Sequence, residues 1–165
     1  MKRKILGIFI LILAFAFIVS CSKTEQSSNK KIVSSLEELN LVQFKQLKNQ
    51  HAGKVILVNF FASWCPPCNE ETPGFVKVYN KLKDKGFVII GLSIDDNIDD
   101  AVNFVNKYGI TYPVYHADRG LESYFNIRTI PTNIFYDKKG NLYNLHVGAI
   151  DEKNLEKYIE SLLAQ

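Results

Sequence analysis

The chain has 165 residues, 47% hydrophobic and 22% charged, which suits one globular domain with a core of its own. Its three cysteines are too few for a disulfide-rich scaffold or a four-cysteine zinc site, and no second Cys-x-x-Cys or His-x-x-x-His occurs. The formal charge of +3 resides in Lys2, Arg3 and Lys4; the remainder holds 17 basic and 17 acidic residues, a balance that offers nucleic acid no footprint.

Those three cations precede an uncharged run from Ile5 to Val19, ILGIFILILAFAFIV. Its 15 residues suit the apolar region of an export signal better than a membrane span, which needs ~20. The run ends in Ile18-Val19-Ser20-Cys21, which resembles the lipobox of bacterial lipoproteins. That resemblance implies a signal peptide over 1–20, cleavage before Cys21 and a lipid on the Cys21 sulfur. Each buried lipid CH₂ contributes ~0.8 kcal/mol, so doubled chains anchor stably. The alternative is an uncleaved anchor, and either places the rest of the chain on the extracytoplasmic side of a bacterial cell envelope. SKTEQSSNKK, residues 22–31, has no aliphatic or aromatic residue and reads as a tether. The tether is expected to reach residue 34 and a single folded domain to occupy 35–165.

Asn40-x-x-Gln43 is a capping pattern that opens a helix to about Gln50, with Leu41, Phe44 and Leu47 at three-residue spacing; a start at Ser35-x-x-Glu38 is the alternative. Val55 to Phe61 is continuously apolar apart from Asn59, the pattern of a strand buried on both faces. A helix is predicted from Pro66 to about Lys83, a second central strand over Phe87–Ile94, and a helix over Ile98–Tyr108 with Val102 and Val105 inward. Tyr112–Tyr115 reads as a short strand, and Asp118 as the cap of a short helix through Phe125. Thr132–Tyr136 and Leu142–Val147 read as a hairpin around DKKGN, followed by an amphipathic helix that Asp151 caps. Alternating strands and helices, then a hairpin and a closing helix, imply an α/β layer structure with a central mixed sheet.

The chemistry lies in WCPPC. Cys65 falls between a buried strand and a helix opened by Pro66 and Pro67, and proline is favoured at the first helical position. Cys65 is therefore predicted at the N-cap, where about half a positive charge favours thiolate over thiol. Cys68, one turn on, can close a disulfide with it and is expected to be more buried, while Cys65 stays accessible. That makes Cys65 the attacking and Cys68 the resolving thiol of a redox pair. The two prolines have no N–H for the Cys65 sulfur, which raises its pKa and makes the pair more reducing than a donor-rich spacer would.

VNFFASWCPPCNEETP resembles the active-site stretch of thioredoxin-fold proteins, most closely the membrane-tethered TlpA/ResA-like thiol-disulfide oxidoreductases. The similarity covers roughly 35–165 and includes Trp64, Pro73, and Arg128-Thr129-Ile130-Pro131-Thr132. The segment from Ile94 to Gly120 resembles the helix-and-strand insertion of this subfamily. The resemblance implies a thioredoxin-like fold and a cis Pro131. It also implies a substrate groove in which Trp64 and the backbone of Ile130 meet an extended chain. Plain thioredoxins carry a buried aspartate where this chain has Asn59. Glu71, three residues beyond Cys68 on the same helical face, matches the glutamate of the ResA-like site and is assigned to take the Cys68 proton and tune the pair. Expected partners are disulfide-bearing secreted or membrane proteins, apocytochrome c among them. A membrane-embedded electron donor is also expected, since no nicotinamide or flavin motif occurs.

No cofactor beyond the Cys65–Cys68 disulfide is expected. His51, His116 and His146 are scattered and read as surface or loop residues, and Asp95-Asp96 and Asp99-Asp100 as residues that cap and open the next helix rather than a cation site. Three other activities compete: a dithiol oxidase, a thiol peroxidase, whose Thr-x-x-Cys setting is missing, and a non-catalytic peptide-binding module.

Overall fold

Two apolar runs set the centre of the molecule. The computed structural model describes residues 32–165; the expected signal segment, Cys21 and the expected tether up to residue 31 lie outside the described residues. In chain order the elements are β1 (Glu38–Leu39), α1 (Leu41–Gln50), β2 (Val55–Phe61), α2 (Pro66–Leu82), β3 (Phe87–Ser93), α3 (Ile98–Tyr108), β4 (Val114–Ala117), α4 (Arg119–Tyr124), β5 (Thr132–Tyr136), β6 (Leu142–Val147) and α5 (Glu152–Leu163). One six-stranded sheet runs β1-β4-β3-β2-β5-β6. The first four of these strands are mutually parallel, whereas β5 is antiparallel to β2 and β6 to β5, so the sheet is mixed.

Every residue of β2 and β3 is buried, because helices cover both faces. Alternation along β2 sorts its side chains. Val55, Leu57 and Phe61 join Phe75 and Val78 of α2, Phe104 of α3, and Leu155 and Ile159 of α5. Ile56, Val58 and Phe60 face the other way, onto Phe44 of α1 and Leu121 of α4. The insertion supplies α3 to the first layer and β4 to the sheet. Gly74 lets α5 approach α2: a Cβ there would fall 3.1 Å from Glu152 Cβ and 3.2 Å from its Cα.

The capping box of α1 forms as the sequence predicts, with Gln43 N–H donating to Asn40 Oδ1 at 3.0 Å and Asn40 N–H to Gln43 Oε1 at 2.9 Å. The alternative start at Ser35 does not occur. Among the described residues no helix forms before Asn40; Glu38 and Leu39 form a strand instead, and Glu37 C=O accepts from His116 N–H at 2.9 Å. Val33 is already tied to α3, its N–H donating to Asn106 Oδ1 at 3.0 Å, so the chain joins the fold two residues ahead of the expected start. The fourth strand begins at Val114 rather than Tyr112, since Pro113 has no N–H for the ladder and Tyr112 turns its ring into the core.

Gly91 sits in β3 opposite Asn59 and Val114. A Cβ at this position would meet Val114 Cγ2 at 3.1 Å, Tyr112 Cε2 at 3.3 Å and Phe61 Cε1 at 3.4 Å, all in packed core. Gly91→Ala is therefore expected to destabilise by about 1–3 kcal/mol through overpacking. Urea unfolding measures it; an unchanged midpoint would show that Tyr112 and Val114 can yield.

Candidate active site

β2 ends at Phe61, and four residues later the chain reaches Cys65, the N-cap of α2, with φ −88° and ψ 110°. Cys65 and Cys68 form a disulfide with Cα atoms 5.3 Å apart, and Cys68 N–H donates to Cys65 Sγ at 3.3 Å. Pro66 and Pro67 occupy the first helical positions and donate nothing. Trp64 stands out from the surface at 64% exposure. Cys65 is less accessible than the sequence reading expects, at 2% exposure against 0% for Cys68. The reason is packing: both cysteines belong to the α2-side core, and Ile130 is half-buried against that same cluster.

The Ile130–Pro131 peptide bond is cis. Its loop is pinned on either side, with Thr132 Oγ1 donating to Thr129 C=O at 2.6 Å and Gly148 N–H to Pro131 C=O at 2.8 Å. Among the described residues the N–H and C=O of Ile130 enter no hydrogen bond.

Beneath the cysteines lies a buried polar cluster that the sequence reading finds only in part. On α2, Glu70 is exposed and Glu71 is 4% exposed, turned toward the sheet. Asn59 Nδ2 donates to Glu71 Oε1 and to Asn133 Oδ1, each at 2.9 Å. Asn133 Nδ2 and Ile150 N–H both donate to Glu71 Oε2 at 3.2 Å. Asn59 and Asn133 are directly paired across β2 and β5, so their amides project together onto the helix face that carries Glu71. Burial pushes the Glu71 carboxyl up from 4.5 to about 7, against the pull of its three donors, Ile150, Asn133 and Asn59. At neutral pH it can therefore both hold and release a proton. The traceable signal for Asn133 is its interruption of the apolar strand TNIFY, as Asn59 interrupts VILVNFF.

The acidic quartet separates into two roles. Asp99 and Asp100 open α3, as expected, but its cap is Asn97, whose side chain accepts from Asp99 N–H at 3.0 Å. Asp95 caps nothing; it is 2% exposed and binds Ser63 and Ser93. His116 is half-buried rather than superficial, its Nε2 2.7 Å from Asp95 C=O. Among the described residues no group of three or more acidic, histidine or cysteine side chains is arranged to hold a metal.

A helix-capping disulfide, a cis-proline loop beside it and a buried carboxylate beneath it make a thiol-disulfide exchange site on an α/β frame. The profile of the family described as Redoxin matches residues 27–159. The chain belongs to the Redoxin family. Thiol-disulfide oxidoreductase ResA of Bacillus thuringiensis is 33% identical over 133 residues, 79% of this chain and 73% of that protein. Thioredoxin-like protein YneN of Bacillus subtilis is 30% identical over 110 residues, 66% of this chain and 65% of its own length. Among solved structures, a thiol:disulfide interchange protein of the thioredoxin family from Chlorobium tepidum superposes with a TM-score of 0.67 at 32% identity, over 70% of this chain and 84% of that one. The Redoxin chain described here is thus a ResA-like thiol-disulfide oxidoreductase with a thioredoxin-like fold.

The Glu71 environment makes a pH prediction. Its folded pKa is raised, so the stability it contributes is fully present below pH ~4.5 and is lost as pH rises through about 7. Glu71→Gln keeps the shape and removes the titration. Between those limits the wild-type protein should lose stability with rising pH relative to the variant, and a step near pH 7 in its exchange rate should vanish in Glu71→Gln. Parallel pH profiles of the two proteins would show Glu71 to be silent.

Proposed function

We propose that this oxidoreductase acts as a lipid-anchored reductase of disulfides in secreted or membrane proteins. The observation that carries the direction is the donor-poor start of α2. Cys65 Sγ accepts the Cys68 N–H, and the two prolines between them have no N–H to add. A thiolate with fewer donors is less stabilised than one beside a donor-rich spacer, which favours the reducing pair.

In this scheme the Cys65 thiolate attacks one sulfur of the substrate disulfide. That bond breaks, the distal sulfur leaves as thiolate, and Cys65 is joined to the substrate. Glu71 takes the proton of the Cys68 thiol. The Cys68 thiolate then attacks Cys65 Sγ, closing Cys65–Cys68 and expelling the second substrate sulfur. The substrate gains two electrons and the protein gives up two. The unpaired backbone of Ile130, beside Pro131, suits pairing with an extended substrate, and the exposed indole of Trp64 suits covering it.

Cys21 would hold the domain at the membrane on its extracytoplasmic side, with electrons from a membrane-embedded donor. Among the described residues no helix is long and apolar enough to cross a membrane. Apocytochrome c, whose cysteines must be reduced before haem attachment, is a fitting substrate.

The reduction potential of the pair, measured on protein lacking residues 1–21, is expected at or below ~−230 mV, toward the ~−270 mV of thioredoxin. A value near ~−120 mV would make the protein an oxidant. Cys21→Ser in the full chain should move the protein from the membrane fraction to the soluble one and abolish labelling by a radioactive fatty acid; unchanged fractionation would assign the anchor to the apolar run itself.

A further inference from the structure

We propose that Asp95 is a positioning residue for the exchange reaction, fixing with Asn69 the Ser63–Cys65 turn from which Cys65 attacks; this rests on Cys65 being the attacking thiol. Ser63 connects the end of β2 to Trp64 and Cys65, and all its polar groups are engaged. Its N–H lies 3.0 and 3.1 Å from the two Asp95 carboxylate oxygens, and its hydroxyl donates to Asp95 Oδ1 at 2.6 Å. Its C=O accepts from Asn69 Nδ2 at 2.9 Å, and the same Nδ2 donates to Cys65 C=O at 2.8 Å. The turn is therefore gripped from the β3 side by Asp95 and from the helix side by Asn69.

Both grips lead back to the segment between β3 and β4. Ser93 Oγ donates to Asp95 Oδ2 at 2.8 Å and orients the carboxylate. Asn69 Oδ1 accepts from Tyr108 Oη at 2.7 Å and from Lys107 Nζ at 3.3 Å, both on α3. The insertion thus reaches the active-site turn through two independent sets of hydrogen bonds, one at Asp95 and one at Asn69.

A carboxylate suits this place. Ser63 N–H, Ser63 Oγ–H and Ser93 Oγ–H all donate to Asp95, and only an acceptor-only group answers them all. Burying a charge is costly unless it is fully bonded, and charge-assisted bonds are the strong ones. Among the described residues the Asp95 side chain bonds Ser63 and, at the end of β3, Ser93, so the ordered object is the turn. Attack on a disulfide demands aligned sulfurs, and a misplacement of about 1 Å can cost ~10²-fold in rate.

Trp64, the single tryptophan of the chain, lies inside the gripped turn and reports on it. The test compares the full-length reduced protein with Asp95→Ala, Asp95→Asn, Ser63→Ala and Tyr108→Phe. One readout is the rate at which each attacks the aromatic disulfide dithiobis-nitrobenzoate; the other is acrylamide quenching of Trp64. Asp95→Ala should slow attack by about tenfold or more and increase quenching, within the ~10²-fold range that misplacement spans. Asp95→Asn, which keeps one acceptor oxygen, should recover part of both losses. Ser63→Ala and Tyr108→Phe should each shift both readouts in the same direction by less. Wild-type rates and quenching in a folded Asp95→Ala overturn the proposal. Where Asp95→Ala does not fold, wild-type values in both Ser63→Ala and Tyr108→Phe overturn it instead. Cys65→Ser separates the premise from the inference: fast attack surviving there removes Cys65 as the nucleophile, whereas its loss there alone leaves the nucleophile intact and removes the positioning role.

Discussion

The parallel pairing of β2 with β3 is the constraint from which the site follows. Seven residue pairs run in register from Val55↔Phe87 to Phe61↔Ser93, and Ile94 N–H extends the ladder to Phe61 C=O at 2.9 Å. Parallel strands deliver their C-terminal ends to the same edge. The cysteine turn leaves β2 there and the Asp95 turn leaves β3 beside it. Because β5 is antiparallel to β2, its N-terminal end arrives at that edge as well, with Thr132 opposite Phe60 and Pro131 just before it. Three chain segments far apart in sequence are thus brought to one rim by strand direction alone.

The same sheet explains how a carboxyl group survives in the core. Glu71 is placed by its helix over the two paired asparagines, and its oxygens receive N–H groups from Asn59, Asn133 and Ile150. Such donors would by themselves favour the ionised form, yet burial outweighs them and leaves the group near neutrality. The close approach at Gly74 contributes indirectly. It seats the start of α5 against α2, and the residue two ahead of that helix, Ile150, supplies one of the donors.

What the sequence disclosed depended on whether the signal was local. The central strands were legible because burial on both faces writes a continuous apolar run, and the helix starts because Asn40, Asp118 and Asp151 each bind an amide three residues on. The cysteine pair at the start of α2 and the inward face of Glu71 were legible from spacing along one helix. β1 is two residues long and leaves no periodicity to read, and β4 was misplaced because its boundary is set by the missing N–H of Pro113. Asp95 was taken for a helix-opening charge because its partner, Ser63, lies 32 residues away. Asn133 shows locally only as a break in an apolar strand, and no local pattern announces its pairing with Asn59.

The buried disulfide also has an analytical consequence. The chain contains one methionine, Met1, and three cysteines, one of them Cys21, so Cys65 and Cys68 hold the only sulfur atoms of residues 32–165. Within the folded domain there is no third thiol to capture a mixed disulfide and no thioether to intercept an oxidant. Any change in sulfur oxidation state detected in that domain, by mass or by thiol count, is a change at this pair. The domain is its own single-channel redox reporter.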